Sequence, residues 1–383
     1  MKKKILFFSH ESLMYGAPRS LLIMAEGLKD IYDVQIITFG EGDIVDAAKS
    51  KDIDIKVIEK SFFSSVNGSS VFSKIFRRIG RFFAFIQTAV NIHRSEPDLV
   101  YINTIFDDWP LRLGNLFGIR FIVHVREGKD YIFPSNPYRK KITDRFFKHT
   151  NHFVCVSDSI KSLVVKRLDG RKARVDRIYN GIDCEQFNQF TASSLPLPDF
   201  SGKTVVGYLG NIKPRKGLDV FLSSAKYLSN KRSDTVFLAV GGDRESFEAL
   251  AKDLGIFDLL GKKIFYLPFV KQPQAAFKLF DIYCMTSLIE PFARVNLEAA
   301  CLMTPIIATD IDGNREFIID GKTGVLVPPG DVDALAQAME KLIDNSLLRH
   351  QLAENAYHRV INVFSEERYI SESKSIIDEV LAK

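Results

Sequence analysis

Short apolar runs with little polar alternation recur along the chain, at Lys4–Ser9, Asp33–Thr38, Asp54–Glu59, Asp98–Asn103 and Arg120–Val125. That is the pattern of parallel strands covered on both faces. Ser20–Lys29 has helical spacing between the first two runs, so the chain opens as strand, loop, helix, strand: one βαβ unit of a doubly wound sheet. Phe153–Ser157 opens a further unit. An irregular stretch follows from Asn188 to Lys203, with Ser193, Ser194, Pro196, Pro198 and Gly202. The pattern then restarts, with strands predicted at Thr204–Leu209, Thr235–Val240, Lys263–Leu267, Phe280–Met285 and Pro305–Thr309. Helices are predicted at Leu218–Leu228, Asp333–Asp344, Arg349–Val363 and Glu366–Leu381. The fold class is α/β, with a first Rossmann-like domain over 1–190, a linker over 191–203, a second such domain over 204–363 and a closing helix in 364–383.

One helix stands apart. Phe72, Ile75, Phe76, Ile79, Phe82, Phe83, Ile86 and Val90 fall at helical spacing, and Lys74, Arg77, Arg78 and Arg81 take the opposite side, with Phe85 among them. No acid occurs between Glu59 and Glu96, while that gap holds six cations, one more than the chain's net charge of +5. The positive excess is therefore local, which argues against a protein that coats nucleic acid. Three placements are open: apolar face on the sheet and basic face in water; the whole helix on a membrane surface; or apolar face in the core with Lys74, Arg77, Arg78, Arg81 and Phe85 against anionic headgroups.

At 383 residues and 46% hydrophobic, the chain is long and apolar enough for two separate cores. Cys155, Cys184, Cys284 and Cys301 have no metal-ligand spacing and read as free buried thiols of a reducing compartment. Met1-Lys2-Lys3-Lys4 followed by a brief apolar run does not make a secretory signal, and no run approaches the roughly 20 apolar residues that span a bilayer. The expected location is cytoplasmic, with any membrane contact peripheral, on the inner face.

Candidate chemistry concentrates in Thr286–Thr304, TSLIEPFARVNLEAACLMT. Pro291 keeps Glu290 out of a helix interior, so Glu290 belongs to a loop and Glu298 to the first turns of the helix after it. Two carboxylates and the amides of residues 293–296 then surround one helix N-terminus, an end that attracts anions. The loop Gly210-Asn211-Ile212-Lys213-Pro214-Arg215-Lys216-Gly217 places three cations before another helix, where they either solvate or neutralise a diphosphate.

Thr286-Ser287, Glu290, Phe292, Glu298 and Ala299 resemble the E-x7-E motif of retaining glycosyltransferases of family 4, which have the GT-B fold. Ala293 replaces a usual glycine there, and Arg294 and Asn296 replace aliphatics. Gly16, with Tyr15 where a first glycine usually stands, resembles the family's GGAxR loop. His124 resembles its strand-end histidine, although Val125-Arg126-Glu127 lacks the adjacent aspartate. Phe153–Ser157 resembles its VS motif, and RIYNGIDCEQF, from Arg177 to Phe187, its N-G turn near the domain junction, where Asn-Gly is expected to supply positive φ. Lys216-Gly217 match G-R-x-x-x-x-K-G, with Asn211 in place of the arginine and Arg215 or Lys213 open as substitutes. Gly313-Asn314-Arg315-Glu316 and Asp320–Pro328 resemble GGxPE and DGxxGxLV-P.

The resemblance implies two Rossmann-like domains facing across a cleft, with the last helix returning to the first domain. It implies a UDP- or GDP-sugar donor as substrate, no cofactor, and a glycan or lipid-linked acceptor. Glu298 would bind ribose. Gly16, Gly210, Asn211, Arg215, Lys216 and residues Ala293, Arg294, Val295 and Asn296 would surround the diphosphate. Glu290 and His124 would orient the sugar, and Lys216 would stabilise the leaving group. No metal is expected, Asp310-Ile311-Asp312 being read as a loop rather than a metal motif. Tyr15, Asn211 and Ala293 motivate a rival, an inactive donor-binding subunit of a polysaccharide-assembly complex, and a nucleotide-sugar epimerase is the third reading.

Overall fold

The computed structural model describes residues 2–58, 71–189 and 195–382, the helix over 71–81 as backbone alone. The chain divides into two compact units, Met1–Gly181 with Glu366–Lys383, and Ile182–Ser365.

The first unit holds a seven-stranded, wholly parallel sheet: β1 Lys4–Phe8, β2 Asp33–Phe39, β3 Asp54–Ile58, β4 Leu99–Ile102, β5 Arg120–Val125, β6 His152–Cys155 and β7 Arg174–Arg177, in the order β3-β2-β1-β4-β5-β6-β7. The second unit repeats the plan with β8 Thr204–Leu209, β9 Thr235–Val240, β10 Ile264–Leu267, β11 Ile282–Met285, β12 Ile306–Thr309 and β13 Val325–Val327, in the order β10-β9-β8-β11-β12-β13. Central strands such as β4, β9, β11 and β12 are buried along their length, which is why they read as unbroken apolar runs. The winding reverses between β1 and β4 and again between β8 and β11. At such a switch point the loops leaving the two strands diverge and open a crevice at their carboxyl ends.

The helix Glu366–Leu381 packs on Gly16–Leu28 within the first unit. Ile370 lies so close over Gly27 that a Cβ there would meet its side chain at 2.3 Å. Tyr32 Oη donates to Asp378 Oδ1 at 2.5 Å, and Tyr369, Ile376, Ile377 and Val380 join the core of β1, β2 and β4.

The helix Val71–Ser95 forms, but the described part turns differently from its apolar pattern. Ala84, Thr88 and Ile92 face inward, while Phe82 and Phe83 are 61% and 55% exposed and Ile86 and Val90 are 40% exposed. Two of the three inward residues are small, and the large apolar row is left outside. Phe85 is half-buried with the Arg112 guanidinium 5.1 Å from its ring centroid, so it does not belong to the exposed row. The side chains of Lys74, Arg77, Arg78 and Arg81, like Lys60, lie outside the described residues.

A second departure concerns the cysteines. Cys155 and Cys284 are free and buried, but Cys184 and Cys301 form a disulfide across 117 residues of sequence. The short helix Cys184–Asn188 packs on the helix Arg294–Cys301, and Asn188 Nδ2 donates to the Cys301 carbonyl at 3.0 Å. Sequence spacing cannot display a pair that only packing brings together.

Candidate functional site

The loops leaving β8 and β11 are knitted into one structure. Gly217 has φ +66, and a Cβ there would stand 2.0 Å from the Thr286 carbonyl oxygen, so only glycine lets the loops meet. Thr286 Oγ1 donates to the Gly217 carbonyl at 2.8 Å and to that of Lys216 at 3.2 Å, and Leu288 N–H donates to the Arg215 carbonyl at 2.8 Å. This seam brings Lys216 Nζ to 2.5 Å from Glu290 Oε2, with side chains 20% and 13% exposed. The cation of one motif thus sits on the carboxylate of the other, 74 residues away in sequence. Asn211, Lys213 and Arg215 are exposed on the same loop, and the Asn211 carbonyl accepts from Tyr208 Oη at 3.2 Å.

The helix Arg294–Cys301 starts at Ala293, whose φ of −78 and ψ of 107 are ordinary extended values. Alanine in place of glycine therefore costs no left-handed strain. No side chain caps this N-terminus, and Asn296 N–H turns back to the Ala293 carbonyl at 3.2 Å. Arg294, Asn296 and Glu298 are all buried. Arg294 and Glu298 are one turn apart on the same face. Asn296, an apparent misfit among apolar neighbours, donates through Nδ2 to Asn314 Oδ1 at 3.1 Å. Asn314 in turn donates to the Thr309 carbonyl at 2.9 Å, and Thr309 Oγ1 donates to the Ser287 carbonyl at 2.5 Å. The two asparagines are partners, which a reading of either motif alone does not reveal. Asp310 is held by Arg315, with Nε at 2.5 Å and Nη2 at 3.0 Å.

Gly16 and His124 belong to the first unit, where one buried network joins their surroundings. Gly16 is exposed at the start of its helix beside the exposed Tyr15, and its carbonyl accepts from Ser20 Oγ at 3.0 Å. Ser20 Oγ also lies 2.9 Å from Asn180 Oδ1. Arg126 Nη1 donates to that same oxygen at 2.7 Å, and Arg126 Nη2 lies 3.1 Å from His124 Nδ1. Asn180 and Gly181 are absent from the residues with positive φ, so the Asn-Gly pair does not make the left-handed turn expected of it. The Asn180 side chain, 5% exposed, serves the network instead.

Arg126 was legible only as a departure from a motif, yet it is the hub of this cluster. Beside it, Glu127 accepts from Ile105 N–H and Arg126 N–H, each at 2.9 Å. Burial pushes its carboxyl up to about 7, against the pull of those amides. Burial, and then the Arg126 charge, hold the His124 ring well below the usual imidazole range.

Comparison with known proteins bears on family and fold. A family model described as glycosyl transferases group 1 matches residues 194–359, and one described as Glycosyltransferase Family 4 matches residues 14–186. The capsular polysaccharide biosynthesis glycosyltransferase CapM of Staphylococcus aureus is 25% identical over 237 residues, 60% of this chain and 61% of its own. A phosphatidyl-myo-inositol mannosyltransferase of Mycobacterium leprae is 31% identical over 225 residues, 56% of this chain and 54% of its own. The alignments thus span less than two thirds of both relatives. The crystal structure of Anabaena Alr3699/HepE in complex with UDP and glucose superposes with a TM-score of 0.79 at 19% identity, covering 99% of this chain and 100% of that one, a likeness of GT-B fold.

Proposed function

The chain belongs to the glycosyltransferases of group 1 and family 4, and from that premise we propose a retaining transferase that moves a hexosyl unit from a nucleoside diphosphate sugar to a glycan or lipid-linked acceptor in polysaccharide or glycolipid assembly. The observation that carries this reading is the Lys216–Glu290 pair at the switch point of the second sheet, beside an uncapped helix N-terminus. Lys216 and the amides of residues 293–296 hold the diphosphate, Arg215 adds charge from the exposed side, and Glu298 takes the ribose hydroxyls. Glu290 orients the sugar, and His124 donates to one of its hydroxyls. The departing phosphate accepts the acceptor's proton on the face it leaves, so configuration is retained. Charge neutralisation by Lys216 and the amides makes the reaction metal independent. The inactive-subunit reading keeps Tyr15 and Asn211 as motives but loses Ala293, whose backbone is unstrained.

The test is a panel of UDP- and GDP-sugars scored by thermal shift, followed by the anomeric configuration of the product. A bound donor at a hundredfold excess over Kd stabilises by about 2.7 kcal/mol. A panel that stabilises nothing, or an inverted product, contradicts the reading. Uridine donors come first, since the Anabaena structure holds UDP and glucose.

Glu298→Ala is expected to weaken binding of the free nucleoside diphosphate as well as of the donor, because its partner is the ribose and not the reacting sugar. Titration calorimetry with the diphosphate checks this, and unchanged affinity removes Glu298 from the role.

The reading includes reversible docking on an anionic bilayer through the helix Val71–Ser95. It is supported by the acid-free run and by the exposed row Phe82, Phe83, Ile86 and Val90. Among the described residues no helix is long and apolar enough to cross a membrane. Each cation near such a surface contributes about 1 kcal/mol. At 1 M salt the Debye length falls to roughly 3 Å, leaving only the apolar part. Co-sedimentation with anionic vesicles is therefore expected to weaken with salt without vanishing, and to be lost at high salt in a Phe82→Ser/Phe83→Ser/Ile86→Ser variant. Equal sedimentation of both proteins with neutral and anionic vesicles refutes the docking.

A further inference from the structure

His124 sits on β5 between β4 and β6, completely buried. Its Nδ1 faces two groups: Tyr101 Oη at 2.8 Å and Arg126 Nη2 at 3.1 Å. A phenol can donate or accept, but a guanidinium only donates. Arg126 therefore decides the arrangement: Nδ1 carries its lone pair, and the ring proton is on Nε2. Among the described residues Nε2 has no hydrogen-bond partner and is buried. The result is a neutral ring with one occupied acceptor and one waiting donor.

Arg126 is itself held from three directions. Nε donates to Asn103 Oδ1 at 2.9 Å, Nη1 to Asn180 Oδ1 at 2.7 Å, and Nη2 to Tyr369 Oη at 2.9 Å as well as to His124. Tyr369 Oη passes its own proton to the Ser20 carbonyl at 2.9 Å, so it accepts from Arg126 without ambiguity. Asn103 is tied by Nδ2 to the Ala17 carbonyl at 2.9 Å. The guanidinium cannot rotate away from His124 without breaking contacts to Asn103 just after β4, to Asn180 and to the helix Glu366–Leu381.

We propose that Arg126 is a positioning residue that fixes His124 as the neutral Nε2–H tautomer, so that the first unit offers one oriented N–H donor to a ligand oxygen. In the reading above, on which this last step rests, the oxygen is a sugar hydroxyl. A second proton on the ring would have to point at the guanidinium, so His124 stays uncharged where an ordinary imidazole titrates. The groups facing it are Arg126 on its own strand end and Tyr101 on β4. Glu127, the nearby carboxylate, is turned to the amides of Ile105 and Arg126.

The experiment is nitrogen NMR of the full chain labelled at its seven histidines, with the His124 signals assigned by loss in His124→Phe. The wild type is expected to show a pyridine-type Nδ1 and a pyrrole-type Nε2 for His124, unchanged from about pH 5 to pH 8, the range in which an ordinary imidazole titrates. Arg126→Met is expected to bring a mixed tautomer and a titrating ring. Tyr369→Phe keeps Arg126 on Nδ1 and is expected to preserve the wild-type pattern, so it serves as the folded reference if Arg126→Met fails to fold. A protonated Nδ1, or a His124 that titrates in the wild type, overturns the proposal whatever the activity. If the tautomer is as stated but His124→Phe keeps full kcat with every donor the protein accepts, the positioning role survives and the assignment to a sugar hydroxyl falls.

Discussion

Replacing Lys216 by alanine is expected to lower kcat by about 10²–10³ while raising the donor KM far less. A cation beside the leaving diphosphate acts most strongly as negative charge develops there, and removing one such group costs roughly 2.7–4 kcal/mol in comparable sites. The structure adds a second consequence. Lys216 also neutralises Glu290 at 2.5 Å, so the alanine variant leaves a largely buried carboxylate without its cation. The two effects separate in a double-mutant cycle with Glu290→Gln. If Lys216 serves mainly to neutralise Glu290, Lys216→Ala costs little in the Glu290→Gln background. If it serves the diphosphate, Lys216→Ala costs as much in that background as in the wild type. A change confined to KM makes Lys216 a plain binding residue.

Gly217→Ala is expected to dismantle the site more thoroughly than removing any one charge. The new Cβ would overlap the Thr286 carbonyl oxygen at 2.0 Å, with φ in the left-handed region. The conformational part alone costs about 1–2 kcal/mol. Relief of the overlap needs a shift of the seam that carries the Leu288–Arg215 and Thr286–Gly217 hydrogen bonds, and with it the Lys216–Glu290 pair. Gly261→Ala is the control: it has φ +72 but nothing within 4 Å, so it meets only the conformational cost. Thermal unfolding should place Gly217→Ala below the control by several degrees, at roughly 2–4 °C per kcal/mol for a unit of this size. Calorimetry should find donor binding abolished in Gly217→Ala and kept in the control. Equal behaviour of the two variants would show that the seam does not hold the site.

Most of both sheets was legible because parallel strands shielded on both faces must be written as apolar runs. One edge of each sheet was not: β7 is Arg-Val-Asp-Arg, half-exposed throughout, and β13 is only three residues long, whereas the opposite edges β3 and β10 carry readable runs. Periodicity predicts the helix Val71–Ser95 but not which side faces the protein, because the buried row Ala84, Thr88 and Ile92 is less apolar than the row Phe82, Phe83, Ile86 and Val90 left exposed. In the site, the residues with chemical side chains were readable and their partners were not. Asn296 and Asn314 look like two independent departures until they are 3.1 Å apart. Arg126 reads as a lost aspartate motif until its donors are counted. A hydrogen bond between distant positions leaves no periodicity for a single sequence to display.

The helix Glu366–Leu381 belongs to the unit whose other residues end at Gly181. On the ribosome, all of Ile182–Ser365 is synthesised before that helix. During that interval the nascent first unit lacks Tyr369, which both accepts from Arg126 and caps the Ser20 carbonyl, and it exposes the apolar seat of Ile376, Ile377 and Val380. The second unit, contiguous in sequence, has all of its strands before the first is complete. The first unit is therefore begun first and completed last, and until its closing helix docks it carries an apolar surface that its own chain has yet to cover.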